Sequence, residues 1–303
     1  MHSMKFPWNR YVELPTERRN TLQVFITNKC NLKCPGCFAR NVMGEDNQDI
    51  SIKEYKRTIS KFLGKGGKQI NLLGGEPLLH GNLIKILDIN KKSNIQTTIY
   101  TNGQAFNSYL RSGFKGQVFN SYLRSDFKDV KLRVSIYSYN GKNKSCLSVP
   151  IDAPKFDANF MVSSKTEITE LLHSAARCEF TYGCKVFFIS SIRELDNKRQ
   201  EFFDDTDLTM PVIKYKELVH KFLNAYDGDM EIHVSKRGVF ESSISCGYNK
   251  CCFSNYFIGG KIIQCPYDVV NKKFQDNYEF DKRFCHHNSS CLMTKVIYRK
   301  KNG

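Results

Sequence analysis

The sequence predicts an α/β fold carried by a parallel sheet, and three observations lead there. Short apolar or β-branched segments alternate with longer stretches of helical period, several strand-like segments stop at glycine or at a Thr-Asn pair, and the alternation persists through the first two thirds of the 303 residues.

Taken in order, Leu22 to Thr27 reads as a strand, Ile52 to Leu63 as a helix, and Gln69 to Leu73 as a strand that stops at Gly74-Gly75. Leu83 to Ile89 reads as a helix and Gln96 to Tyr100 as a β-branched strand. Lys131 to Tyr137 and Ala158 to Val162 are further strands, Glu167 to Ala176 is a helix, and Lys185 to Ser190 is the last clear strand. Repeated βα units imply a parallel sheet, because each helix returns the chain to the same end. Beyond them, Glu201 to Thr209 is acidic and turn-rich and reads as a surface linker, and Tyr215 to Tyr226 as a helix. Tyr256 to Ile263 reads as a β-hairpin with a glycine turn. One interruption stands out: Phe106-Asn-Ser-Tyr-Leu-Arg-Ser112 recurs at 119–125, a period of 13. A single repeat is too short for a solenoid, so it reads as a tandem insertion in a connection, or else as a basic arm carrying Arg111 and Arg124.

Composition sets the class. With 41% hydrophobic and 25% charged residues the chain is of ordinary globular type, long enough for one large core or a barrel with a small extension. No apolar run approaches the roughly 18 to 20 residues of a membrane span, and Met1 to Trp8 lacks a secretory apolar stretch, which makes the cytoplasm the expected compartment. Twelve cysteines in such a chain point to metal ligation rather than disulfides. The net charge of +16 suits phosphorylated, nucleic-acid or acidic peptide partners, but scattered lysines on a solvated surface explain it as well.

The densest chemistry lies at Cys30, Cys34 and Cys37, separated by gaps of three and two residues directly after the first strand. Pro35 and Gly36 supply the tight turn that the shorter gap demands. Three thiols leave one coordination position open, whereas a structural zinc site wants a fourth protein ligand nearby.

This CxxxCxxC run with Phe38 after it resembles the signature of the radical SAM superfamily. Downstream, Gly74-Gly75-Glu76-Pro77 resembles the GGEP element that contacts the methionyl amino group of S-adenosylmethionine (SAM), and Thr101-Asn102-Gly103 resembles the TNG element ending a later strand. The resemblance implies a partial (β/α)6 TIM-like barrel over about residues 21–200, a catalytic 4Fe-4S cluster on Cys30, Cys34 and Cys37, and SAM held by Gly74, Gly75, Glu76, Thr101, Asn102 and Ser135. One-electron reduction of the cluster would split SAM to methionine and a 5′-deoxyadenosyl radical that abstracts hydrogen from substrate. A reductase with flavodoxin, or a ferredoxin, would be the electron donor. No catalytic side chain is assigned, and Ser163 and Ser164 are weaker polar candidates at a strand end.

A second cysteine region, 241–303, follows a linker and helix at 201–240, while 1–20 forms an N-terminal segment. Cys246, Gly260 and Cys265 resemble the opening of SPASM and Twitch extensions, which carry auxiliary iron–sulfur clusters. Only Cys285 and Cys291 follow, so one auxiliary 4Fe-4S cluster is expected, on Cys246, Cys265, Cys285 and Cys291 with Cys252 as substitute and Cys251 as bystander; a zinc site suits the same thiols. His286 and His287 read as exposed polar loop residues, with nitrogen donors that suit either metal. Cys146, Cys178 and Cys184 read as buried small hydrophobes.

By resemblance to SPASM and Twitch enzymes, oxidation or cross-linking of a peptide or protein side chain is the leading reaction. The 29 residues before Cys30 are too few for an appended peptide-recognition domain, which keeps oxidation or rearrangement of a small molecule or nucleotide close behind. A non-catalytic metal-binding or sensor protein on the same fold is the reading of another class.

Overall fold

The computed structural model describes residues 8–13, 21–32, 34, 37, 48–104, 106, 129–137, 149, 154–192, 194–196, 201–203, 208–235, 239, 253–263 and 295–300. In chain order the elements are β1 (Trp8–Glu13), β2 (Thr21–Thr27), α1 (Ile52–Gly64), β3 (Gln69–Gly74), α2 (Leu83–Lys92), β4 (Gln96–Thr101), β5 (Lys131–Tyr137) and β6 (Asp157–Val162). There follow α3 (Ile168–Tyr182), β7 (Val186–Ser191), β8 (Glu194–Asp196), β9 (Glu201–Phe203), α4 (Val212–Ala225), β10 (Glu231–Ser235), β11 (Phe253–Phe257), β12 (Lys261–Ile263) and β13 (Lys295–Lys300).

Local chemistry explains the helix limits. Ser51 accepts the Glu54 N–H at 3.1 Å and so caps α1 at its start. Tyr55, Thr58, Ile59 and Phe62 then present one buried stripe at helical spacing. Helix α3 continues six residues past the expected end at Ala176, because Gly183 takes a left-handed φ of 63° and closes it. In that cap Gly183 N–H donates to Glu179 O at 2.9 Å and Cys184 N–H to Cys178 O at 3.0 Å.

Strands β2 to β7 lie side by side in sequence order and run parallel, the α/β class and strand succession the sequence predicts. The sheet does not stop there. Strand β10 joins β7 in parallel, β13 pairs antiparallel with β10, and β1 closes that edge on β13. At the other edge β11 runs parallel to β2 and the hairpin turns back as β12, with Gly259 and Gly260 at φ 86° and 89°. Thus β7 is not the last strand of the sheet, and β1 arises within the expected N-terminal segment. The acidic stretch after residue 200 is not simply a surface linker either: β9 pairs with β8, Leu208 O accepts the Ser164 N–H at 2.8 Å, and Thr209 is buried.

Alternation along the strands divides the sheet into two faces. Leu22, Val24, Ile70, Leu72, Ile99, Val134 and Phe160 belong to the apolar core that also takes in the buried faces of the helices. The intervening positions form the inner face and are largely polar: Gln23, Asn71, Tyr100, Arg133, Ser135, Asn159 and Ser190. A polar inner face suits a binding cleft rather than packing.

Candidate functional site

Three chain segments meet at the C-terminal edge of β2, β3 and β4, the end at which barrels of this type carry their sites. The first follows β2 and bears the cysteines. Its two ends are zipped together, with Asn28 N–H donating to Gln48 O at 3.0 Å and Ile50 N–H to Ile26 O at 2.8 Å. Asp49 binds the entry side: one carboxylate oxygen accepts from the Thr27 hydroxyl at 2.7 Å and the other from Lys29 Nζ at 2.8 Å. Although burial alone would raise its pKa, the bonds from Lys29 and Thr27 hold the Asp49 carboxyl below its usual range. His80 buttresses the exit, its Nε2 facing Ile50 O at 3.2 Å while Nδ1 accepts the Asn82 N–H at 3.0 Å, which assigns the neutral tautomer.

The second segment is Gly74-Gly75-Glu76. Gly75 N–H donates to Thr27 O and Glu76 N–H to Lys29 O, both at 2.7 Å, so the end of β3 lies flat against the start of the cysteine loop. A Cβ at Gly75 would stand 2.3 Å from Lys29 O, and one at Gly74 2.3 Å from Thr27 O. Only glycine permits this approach.

Glu76, 1% exposed, is turned inward. Its Oε1 accepts from the Leu78 N–H at 3.0 Å and the Thr101 hydroxyl at 2.7 Å, and its Oε2 from the Asn102 N–H at 2.8 Å. Burial pushes the carboxyl up to about 7, and the three donors offset only part of that rise. The third segment is therefore fastened through Glu76. Asn102 continues the chain of contacts, its Nδ2 donating to Asn31 Oδ1 at 2.9 Å inside the cysteine loop.

The cysteines themselves sit on one loop, with Cys30 exposed and Cys34 and Cys37 half-buried. Although Cys30 is exposed as a residue, partial desolvation of its sulfur raises its pKa, the Leu32 N–H donating to Sγ at 3.4 Å lowers it, and the charges of Glu76, Cys34 and Cys37 add to the rise. Among the described residues no three His, Cys, Asp or Glu side chains are grouped to hold a metal ion, and the three cysteines are neighbours on one loop.

Ser135 lies on the inner face of β5, beside Asn159 in register and bonded to the Tyr137 side chain. Tyr137, the final residue of β5, escaped the sequence reading. Burial first, then the charges of Cys34 and Cys37, raise its pKa, which puts the phenol beside the cysteine loop. Its place at the end of an inner-face strand was the available signal, as Asn31's was its position between two cysteines. Ser163 is consumed locally, its N–H donating to Thr166 Oγ1 at 2.9 Å and its Oγ accepting the Lys165 N–H at 3.3 Å. Cys178 and Cys184 are buried as expected. Cys146, Cys246, Cys251, Cys252, Cys265, Cys285, Cys291, His286 and His287, and the duplicated segment apart from buried Phe106, lie outside the described residues.

Residues 24–115, which include all three segments, match the family model of the radical SAM superfamily. The chain carries a radical SAM domain. It is 38% identical over 96 residues to an uncharacterized protein of Methanocaldococcus jannaschii, covering 30% of this chain and 32% of that protein. It is 31% identical over 93 residues to the GTP 3′,8-cyclase of Rhizobium etli, covering 29% and 27%. The chain thus spans about a third or less of these curated relatives. Among solved structures, Streptococcus suis SuiB bound to precursor peptide SuiA superposes with a TM-score of 0.63 at 16% identity, over 88% of this chain and 63% of that one. AnSMEcpe with bound AdoMet and a Kp18Cys peptide gives 0.57 at 15% identity, over 85% and 77%. At such identities the likeness is one of fold.

A radical SAM domain implies a 4Fe-4S cluster and SAM. The donor chemistry fits: the loop offers three cysteine sulfurs, with a backbone N–H already directed at Cys30 Sγ and both loop ends pinned.

Proposed function

We propose that the protein is a SAM-dependent radical enzyme that modifies a peptide or protein side chain by oxidation or cross-linking. The observation that carries this reading is the junction at which Gly75 and Glu76 press against the cysteine loop while Glu76 holds Thr101 and Asn102. Cys30, Cys34 and Cys37 would hold the cluster, and the backbone of 74–76 would face the methionyl end of SAM, because both Glu76 carboxylate oxygens are engaged with protein donors. When bound, these groups would supply the radical chemistry of hydrogen-atom abstraction from substrate. The chain's own part is to orient: Asn31 and Asn102 tie the loop to the β4 end, and Ser135 and Tyr137 line the approach from β5.

The peptide class is supported by the fold shared with SuiB and anSMEcpe over 85–88% of the chain. A nucleotide substrate is the second reading, favoured by the GTP 3′,8-cyclase likeness and the net charge of +16. Cys246, Cys265, Cys285 and Cys291, with Cys252 in reserve, would hold one auxiliary 4Fe-4S cluster or a zinc ion. A flavodoxin or ferredoxin would deliver the electron, and a reducing cytoplasm suits such a site.

Anaerobic reconstitution followed by dithionite reduction tests the reading. Release of 5′-deoxyadenosine by the wild type, and none by Cys30→Ala, Cys34→Ala or Cys37→Ala, is the expected result. Iron uptake without SAM cleavage in the wild type would favour the non-catalytic sensor. Iron and zinc analysis of the triple cysteine variant separately reports the auxiliary site, with about four irons retained if it holds a cluster.

A further inference from the structure

The inner face contains a largely buried cation whose hydrogen bonds are incompletely used. Arg133, on β5, has a side chain only 11% exposed. Its Nη1 donates to the Tyr100 hydroxyl at 2.7 Å, but Asp157 Oδ2 stands 3.9 Å from Nη2, an ion pair beyond hydrogen-bond reach, and Nε has no partner at all. Below it the Phe188 ring lies 3.7 Å from the guanidinium carbon. That ring covers one face of the guanidinium and leaves its edges as the means of bonding. A buried guanidinium with an unsatisfied N–H costs stability, so its presence calls for an explanation that packing does not supply.

Neighbouring groups extend the same polar track. Asn159 is in register with Ser135 on one side and Phe188 on the other. Its Oδ1 accepts from the Ser190 hydroxyl at 2.8 Å, whereas its Nδ2 has a thioether, Met161 Sδ, at 3.1 Å, a poor acceptor that leaves the amide able to donate. From Arg133 the track climbs by Ser135 to Tyr137, a rise of about 13 Å along the strand.

We propose that Arg133 anchors the carboxylate of the substrate, with the Asn159 amide hydrogen-bonding the adjoining group. This deepens the radical-enzyme reading and rests on it for the substrate's entry to this face. A planar monoanion matches the guanidinium edge that bears the unpartnered Nε, and Asp157 beside it disfavours a dianion such as phosphate. The span of about 13 Å up to the Tyr137 level is that of three or four extended residues, which makes the ligand a carboxylate-bearing peptide rather than a single amino acid.

The experiment is a calorimetric titration of the reconstituted protein, without reductant, with triglycine and with triglycine amide. Because no turnover is involved, its outcome is separate from whether SAM is cleaved. The acid should bind at least about tenfold more tightly than the amide, and this preference should vanish in Arg133→Gln and be partly restored in Arg133→Lys. Asn159→Ala, which keeps the guanidinium, should weaken both ligands several-fold and preserve the preference for the acid; circular dichroism establishes that each variant is folded. Equal binding of acid and amide, an undiminished preference in Arg133→Gln, or no binding at 20 mM would overturn the assignment. So would inorganic phosphate binding through Arg133 more tightly than the acid.

Discussion

Glu76 and Asn102 are joined by a 2.8 Å bond from the Asn102 backbone N–H to Glu76 Oε2, and Asn102 passes the connection to Asn31 in the cysteine loop at 2.9 Å. A residue expected to meet the cofactor is therefore first a clamp between the ends of β3 and β4. Its chemistry makes the clamp testable.

Glu76 has a folded-state pKa raised from 4.5 to about 7, so the folded protein holds this proton more tightly than the unfolded chain. The resulting stabilisation is full below about pH 4.5 and is lost as pH rises to about 7, a change on the order of 3 kcal/mol. Glu76→Gln, which does not titrate, should remove this component. The difference in denaturant midpoint between wild type and variant, measured from pH 4.5 to 8, should change across that window and be flat above it.

Gly75→Ala forces a Cβ to within 2.3 Å of Lys29 O and should push β3 away from the cysteine loop. The expected result is loss of most reconstituted iron. Gly64→Ala, at the exposed end of α1 where nothing lies within 4 Å, is the control and should raise stability by up to about 1 kcal/mol. Iron content and thermal unfolding of the two variants distinguish a local clash from a general intolerance of alanine.

Asp49→Ala removes the acceptor for both Thr27 and Lys29 at the loop base. A loss of about 1–3 kcal/mol is expected together with faster proteolysis of residues 30–47. Because the Asp49 pKa is depressed, its contribution is present above 3.8 and lost as pH falls through the folded value, opposite in sign to that of Glu76. An acid titration of the wild type against Asp49→Asn resolves it.

Tyr256→Phe deletes the 2.6 Å bond from the Tyr256 hydroxyl to Glu54 Oε1, which fastens the β11–β12 hairpin to α1. Gly259 N–H still donates to Glu54 Oε1 at 3.0 Å and Phe257 still stacks on Phe25, so the loss should stay near 1 kcal/mol. Hydrogen exchange should quicken in residues 253–263 and not in β5 or β6.

Most strands and helices were legible because their signals are local: alternation along Lys131 to Tyr137, the Ser51–Glu54 cap of α1, and glycine after strands. The end of α3 was misjudged because Gly183 closes the helix only by adopting a left-handed conformation after six further residues, of which Cys178, Phe180, Thr181 and Tyr182 are weak helix formers.

Residue order alone determined the cysteine spacing, the Gly-Gly-Glu and Thr-Asn-Gly turns and the βα alternation, since each is written within a few neighbouring positions. Tertiary structure was needed to turn Glu76 inward, to set Arg133 over Phe188 between Tyr100 and Asp157, and to close one edge of the sheet by pairing Trp8 with Lys300. Those contacts join positions tens to hundreds of residues apart. Only the packed sheet, which brings distant strands within about 5 Å of one another, determines which side chains share a face and which charge is left with an unused bond.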